Sequence, residues 1–252
     1  MPGISDTSDS GFDRVVQHAT MFYRARMPLL VLFSIPFILA FAIMMLVPLP
    51  TYIALGGLYV RSGSLPDMSQ LDIAITALAA LLSIFVLSDT IVNLNIIIKS
   101  KRTRTGISSE ILEGIGHYAT KIFLITLISI LLLFVFQLLT FDNPFQPLLF
   151  SVFSLVLSIL LFFAPAAIVI DDRSTLHSIT SSVKMVLAKP VFVLIWIIAA
   201  FALISFIQLV VSAIIPSPFA SILVLLINSL FIFPYLIVLQ TQMYMEKYPL
   251  SI

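Results

Sequence analysis

The chain is poor in most of what a soluble domain is built from. It contains no cysteine, which excludes disulfides, thiolate metal sites and a thiol nucleophile. Charged side chains make up only 10% of the 252 residues, whereas about a quarter is usual in soluble domains. None of its eight glycines lies in a long apolar run, so glycine-based unwound helices of the kind that bind substrate in transporters are not indicated.

Catalytic and metal-binding motifs are missing as well. The sequence has no His-Glu-x-x-His, no Gly-x-Ser-x-Gly and no Walker-type phosphate loop. His18, His117 and His177 have no neighbouring Glu or Cys in a ligand pattern, which makes a metal site improbable. We therefore predict a protein that is not an enzyme, with no catalytic residue, no metal, no cofactor and no nucleic-acid partner.

What the chain does contain is apolar sequence, in six long runs. Hydrophobic side chains make up 60% of it, so lipid must be the solvent for most of its surface. A span across a hydrocarbon core of ~30 Å needs about 20 residues, and its backbone must be helical because lipid offers no hydrogen bonds. The predicted fold is an all-α polytopic membrane protein with six transmembrane helices, at 28–49, 73–96, 120–140, 147–170, 191–214 and 219–239.

The distribution of positive charge predicts the orientation. With the N-terminus in the cytoplasm, twelve of the thirteen Lys and Arg residues fall on the inner side, and only Arg61 falls outside. Cytoplasmic loops carry this excess in membrane proteins. We predict a multi-pass protein of the plasma or inner membrane with both termini cytoplasmic.

A short amphipathic segment precedes each apolar hairpin. These segments, Phe12 to Arg26, Ile107 to Lys121 and Ser174 to Lys189, are predicted to form three interfacial helices on the cytoplasmic side. The expected organisation is a disordered polar tail at 1–11 and one transmembrane domain at 12–252, with repeats at about 12–98, 107–171 and 174–244.

Two roles fit these interfacial helices. They either anchor the hairpins, or form a collar that binds anionic lipid headgroups or a membrane or cytoplasmic protein partner, since basic clusters beside a span attract anionic lipids. The collar interpretation rests on basic residues near the inner ends of the spans: Arg24, Arg26, Lys101, Arg102, Arg104, Lys121, Lys184 and Lys189.

Few polar residues lie inside the predicted spans. Asp89 is the only ionisable residue well inside one, Asn93 lies one turn further along the same face, and Asn228 lies in the sixth span. An intramembrane acid usually faces the bundle interior or water, so Asp89 is either a functional group or a carboxyl that fixes one helix to another. A stripe of small residues, Ser151, Ser154 and Ser158, is typical of a helix-packing face.

Proline supports an alternative function. Pro36, Pro165 and Pro234 are predicted to kink the first, fourth and sixth helices, and such kinks beside Asp89 could open a polar inner vestibule. The alternative hypothesis is therefore a channel or permease. A third, an enzyme acting on lipid, would require convergent polar groups at the inner interface, with Asp89 close to Asp171, Asp172 or a histidine.

One region resembles a known group of proteins. The stretch from Ala164-Pro165 to Asp171, the serine-containing helix around Ser178 to Met185, and Lys189-Pro190 are similar to a diffuse family of uncharacterised six-span membrane proteins. This YciC-like family is similar in turn to the membrane portion of some glycerophosphodiester phosphodiesterases. The resemblance covers about Phe12 to Tyr244 and implies an auxiliary or structural membrane role, with no catalytic residue to transfer.

Overall fold

The chain folds into a bundle of long helices. The computed structural model describes residues 11–46, 69–103, 115–216 and 219–246, and within these ranges it contains no strand. Six helical segments are long and apolar enough to cross a membrane, which confirms the predicted number of spans. In chain order, spans 1 to 6 are Phe12–Ile43, Gln70–Ser100, Gly116–Leu139, Gln146–Asp171, Pro190–Ile214 and Phe219–Met245.

Nine α-helices and two π-helical turns form the described part of the chain. They are α1 (Gly11–Leu46), α2 (Gln70–Thr103), π1 (Ile115–Ala119), α3 (Thr120–Leu139), α4 (Gln146–Leu160), α5 (Ala164–Asp171), α6 (Thr175–Ala188), α7 (Pro190–Ile214), α8 (Phe219–Ile227), π2 (Asn228–Ile232) and α9 (Phe233–Met245). The predicted polar tail lies outside the described residues, apart from Gly11.

Local hydrogen bonds fix the start of α2 and the turn between α3 and α4. The Ser69 hydroxyl accepts a bond from the Asp72 backbone N–H at 3.2 Å, and the Asp72 carboxylate accepts the Ser69 N–H at 3.2 Å, a reciprocal capping box at the start of α2. Between α3 and α4, the Asn143 side-chain oxygen accepts the Phe145 N–H at 2.8 Å and stabilises a tight turn.

Spans 4 and 6 are interrupted, and each interruption precedes a proline. Span 4 leaves the α-helix at Leu161–Phe163 and resumes with Pro165 in the first turn of α5. Span 6 passes through π2 before Pro234 opens α9. Proline cannot donate to the preceding turn, so the helix must adjust just before it. Pro36 lies inside the continuous helix α1, where the predicted kink stays a prediction.

The first amphipathic segment differs from the prediction of a separate interfacial helix. Residues 12–26 belong to the same unbroken helix, α1, as the rest of span 1, and Val15, Ala19 and Phe22 are buried in the protein core instead of facing headgroups. Pro28 lies inside α1, and residues 24–28 are exposed. Most of the second segment, residues 107–114, lies outside the described residues.

The third amphipathic segment is a separate helix, α6. Ser174 is its N-cap residue. Its buried face is formed by Ser178, Ser182, Met185 and Val186. Of the apolar residues of this segment, Val186 is buried and Ile179 packs on the core, whereas Leu176 and Leu187 are 76% and 71% exposed. The helix therefore packs on the protein through one face and leaves a stripe with these two leucines uncovered.

The main core lies at one part of the bundle. It combines α1 from Val15 to Phe37, the end of α2, α5, α6, the start of α7 and α9, through residues such as Leu94, Ala167, Met185 and Val238. All residues of α2 from Val92 to Ile98 are buried. By contrast, α4 contains no buried residue. The predicted packing face at Ser151, Ser154 and Ser158 is therefore wrong within this chain: Ser151 and Ser158 are exposed.

Candidate functional site

Six helix ends meet at one end of the bundle, which we call the basic end. It comprises the starts of α1, π1 and α7 and the ends of α2, α5 and α9. The Lys121 ammonium donates to the Arg173 carbonyl at 3.2 Å, and Lys99 lies 5.4 Å from the Tyr118 ring centroid. Lys189 forms an ion pair with Glu246. Three of the basic residues that the sequence grouped on one side, Lys99, Lys121 and Lys189, thus make contacts with other elements.

The interruption of span 4 is closed by side chains from two other helices. The Ser182 hydroxyl, on α6, donates to the Leu160 carbonyl at 2.8 Å and accepts the Phe163 N–H at 2.9 Å. The Gln240 amide, on α9, donates to the Phe162 carbonyl. Buried backbone groups without partners are costly, so these two side chains make the interruption stable.

Two further hydrogen bonds join the polar side chains of this region. The Thr241 hydroxyl donates to the Asn95 side-chain oxygen at 2.6 Å, with both residues buried. The Tyr244 hydroxyl donates to the Asp171 carboxylate, also at 2.6 Å. Sequence reasoning did not single out these pairs, although two polar residues in apolar helices are a general signal for interhelical hydrogen bonding.

The predicted intramembrane polar residues are only partly brought together. The Asn93 amide donates to the Asp89 carboxylate at 3.0 Å, as expected for residues one turn apart. Asp89 Oδ1 and Asn93 Oδ1 are enclosed without a hydrogen-bond partner among the described residues. Asn228 lies apart from this pair, in π2, where Asn228 Oδ1 and Ser229 Oγ are enclosed in the same way.

Asp89 lies at the edge of the protein surface. On α2 the residues one and two turns before it, Phe85 and Leu82, are exposed, and Val92 one turn after it is fully buried. Asp89 is half-buried between them. The Asn93 side chain beyond it is 5% exposed and therefore lies inside packed protein.

The predicted lipid- or partner-binding residues have different environments. Arg24, Arg26 and Lys184 are exposed, and Lys121 and Lys189 are half-buried. Lys101 and Arg102 lie in the last turn of α2, and Arg104 lies outside the described residues.

The histidines make local contacts. His18 shares a hydrogen bond of 2.6 Å with the Arg14 carbonyl, and His177 is exposed. His117 accepts a hydrogen bond from Lys121 at 2.8 Å, and its Nε2 lies 3.6 Å from Asp172 Oδ1. Among the described residues, no three His, Asp or Glu side chains cluster as metal ligands would.

The fold defines a class, a helical protein with six segments that can span a membrane. No protein-family model matches the chain, and neither a curated protein nor a solved structure matches it. The functional argument therefore rests on the chemistry of the basic end and of the spans.

Proposed function

We propose that the protein is a non-catalytic component of the plasma or inner membrane that binds anionic lipid headgroups at its basic end. That end faces the cytoplasm in this proposal, with both chain termini on the same side. The observation that carries the proposal is that six helix ends meet at one end of the bundle, with Lys99, Lys121 and Lys189 among their residues. Lipids with anionic headgroups are attracted to such clusters by about 1 kcal/mol for each Lys or Arg near the surface.

The exposed cations support this assignment. Arg24 and Arg26 are exposed on α1, well after its start and next to Tyr23, which packs against Tyr235 of α9. No described residue forms an ion pair with either arginine. Their charge is therefore left for a ligand outside the chain. The uncovered stripe of α6, which includes Leu176 and Leu187, adds an apolar surface beside the exposed Lys184. Apolar and basic surfaces on one helix suit the headgroup region of a membrane.

A binding measurement with matched charge variants tests the proposal. Replacing Arg24, Arg26, Lys101, Arg102 and Arg104 by Gln should weaken the binding of the purified protein to phosphatidylglycerol relative to phosphatidylcholine. The control is Arg61→Gln, because Arg61 is the one basic residue predicted on the other side. The proposal would be contradicted if the quintuple variant and Arg61→Gln lost phosphatidylglycerol binding equally, or if the quintuple variant lost none. Retained lipid binding together with loss of a co-purifying protein would favour a protein partner.

The channel or permease hypothesis is the second candidate, and one observation favours it. Asp89 Oδ1 and Asn93 Oδ1 are enclosed acceptors without described partners, and such groups in a membrane protein commonly mark an ion or proton pathway. The burial of α2 from Val92 to Ile98 counts against the open inner vestibule that this hypothesis needs. Membership of the YciC-like family is compatible with either function and stays a prediction.

Flux through reconstituted protein tests this second candidate. Asp89→Asn keeps the shape and the hydrogen-bonding capacity of the side chain but removes its charge. A drop in proton or cation flux in proteoliposomes, with unchanged thermal stability, would support a pathway. Equal flux in the variant and the parent protein would identify Asp89 as a structural carboxyl.

A further inference from the structure

A groove runs along the bundle between span 3 and span 4. Its volume is about 200 Å³, and α3 lines one side with residues from Ile122 to Leu133. The other side is formed by α4, the interruption of span 4 and α5, through residues that include Ser158, Pro165 and Ile168. Ser158 is exposed, so the groove opens onto the surface of the bundle.

The groove follows from small side chains and the interruption of span 4. Thr126 and Ser129 on α3 donate to the carbonyls one turn earlier, Ile122 and Ile125, at 3.0 Å and 2.7 Å. Their hydroxyls are therefore satisfied within their own helix, and neither side chain fills the space towards α4. The wall is thus made of apolar side chains and of hydroxyls that are already hydrogen-bonded within their own helix. Such a lining suits an acyl chain and offers little to a polar solute.

Both ends of the groove are defined. One turn beyond Leu133 and Leu157, the rings of Phe136 and Phe153 stack with centroids 4.2 Å apart and join α3 to α4. At the other end, Lys121 precedes the lining residue Ile122 and donates to the Arg173 carbonyl at 3.2 Å. The groove therefore runs from an aromatic contact to the basic end.

The length of the groove matches one leaflet of a bilayer. Ile122 and Leu133 are eleven residues apart on α3, which corresponds to about 16 Å at 1.5 Å per residue. Half of a hydrocarbon core of about 30 Å is about 15 Å. An acyl chain whose headgroup lay at Lys121 would therefore reach the stacked phenylalanines.

The charges beside the mouth suit an anionic headgroup. Lys121 donates to a carbonyl and to His117, and Arg173 is exposed on the connection between α5 and α6. Two acids lie nearby: Asp171 accepts a hydrogen bond from Tyr244, and Asp172 Oδ1 lies 3.6 Å from His117 Nε2, the nitrogen that accepts from Lys121. Among the described residues, neither the ammonium of Lys121 nor the guanidinium of Arg173 forms an ion pair with an acid.

We propose that this groove binds one anionic phospholipid, with an acyl chain between α3 and α4 and the phosphate between Lys121 and Arg173. The inference rests on the proposed function and adds to it a defined site, a stoichiometry of one lipid and a requirement for the acyl chain. It also gives the interruption of span 4 a role, since Leu161, where the α-helix is interrupted, lies in the wall of the groove.

The test uses one set of variants that fill the groove and another that removes the charges at its mouth. In native mass spectrometry of the purified full chain, Ser158→Phe and Ser129→Phe should each weaken binding of the first phosphatidylglycerol by about tenfold, or about 1.4 kcal/mol. Ser151→Phe is the matched control, because Ser151 lies on the same helix as Ser158 but outside the groove, and it should leave binding unchanged. Lys121→Gln combined with Arg173→Gln should reduce the preference for phosphatidylglycerol over phosphatidylcholine. Should a phenylalanine variant fail to fold, Ser158→Leu provides the same test with a smaller side chain.

Each outcome has a distinct meaning. The groove site would be overturned if the groove variants bound phosphatidylglycerol normally while the quintuple variant of Arg24, Arg26, Lys101, Arg102 and Arg104 lost binding. That result would leave the proposed function intact. Glycerol phosphate competing as well as phosphatidylglycerol would show that the site takes a free phosphate and would also overturn it. Loss in the groove variants but not in the Ser151 control supports it. If no variant changes phosphatidylglycerol binding, both proposals fail.

Discussion

Along α2, one helix passes through two different environments. Most residues from Gln70 to Leu82 are exposed, whereas those from Val92 to Ile98 are all buried. The same contrast separates α4, with no buried residue, from α5, where five of eight residues are buried. The interhelical hydrogen bonds at Asn95, Ser182 and Tyr244 lie in the buried part. We call the two regions the packed half and the exposed half.

The contrast shows where this chain needs a specific sequence. An apolar side chain in the exposed half faces lipid tails both before and after the helices associate, so its replacement changes little. In the packed half, side chains must fit one another and polar groups must find partners. Any selective recognition should therefore depend on the packed half and on the basic end beyond it.

The largest expected effect comes from paired truncations on α2. Leu94→Ala, at a side chain with no exposed surface, should lower the free energy of unfolding by about 2–5 kcal/mol, because it removes packing contacts and leaves a cavity. Leu78→Ala, at a position 69% exposed, should change it by less than about 0.5 kcal/mol. Unfolding by sodium dodecyl sulfate in bicelles, followed through the single tryptophan Trp196, measures both. Equal effects would remove the distinction between the halves.

A smaller effect on the free energy of unfolding is expected from replacing a serine in the packed half, with a serine in the exposed half as the control. Ser182→Ala should cost about 1–3 kcal/mol, because the Phe163 N–H and the Leu160 carbonyl both lose their partner at the interruption of span 4. Ser151→Ala removes only a bond to the Pro147 carbonyl of the same helix and should be nearly neutral. The same unfolding measurement applies. A neutral Ser182→Ala would mean that the interruption does not depend on α6.

The smallest stability effect concerns a single interhelical hydrogen bond. Thr241→Val keeps the side-chain shape but removes the donor to Asn95, and we expect a loss of about 1 kcal/mol. Thr140→Val, which removes a bond to the Phe136 carbonyl within the exposed half, is the control. A cost for Thr140 as large as that for Thr241 would show that interhelical hydrogen bonds in the packed half have no special role.

The sequence predicted the spans more reliably than their interactions. Six apolar runs sufficed for the number of spans, because lipid enforces helical backbone wherever such a run crosses it. The segment Phe12 to Arg26 was assigned wrongly to a separate helix: its apolar face packs on protein, and periodicity does not distinguish protein from lipid as the covering surface. Pro165 signalled a disturbance of span 4. Its closure by Ser182 and Gln240 depends on residues distant in the chain, which no local pattern shows.

Hydrogen–deuterium exchange in nanodiscs tests the central claim, anionic lipid binding at the basic end, most directly. Protein in phosphatidylcholine nanodiscs would be compared with protein in nanodiscs that also contain phosphatidylglycerol. The account predicts slower amide exchange with phosphatidylglycerol at residues 116–123 and 171–178, around Lys121 and Arg173, and no change at residues 70–77 of the exposed half. Identical exchange in the two lipids, or slowing only at residues 70–77, would contradict it.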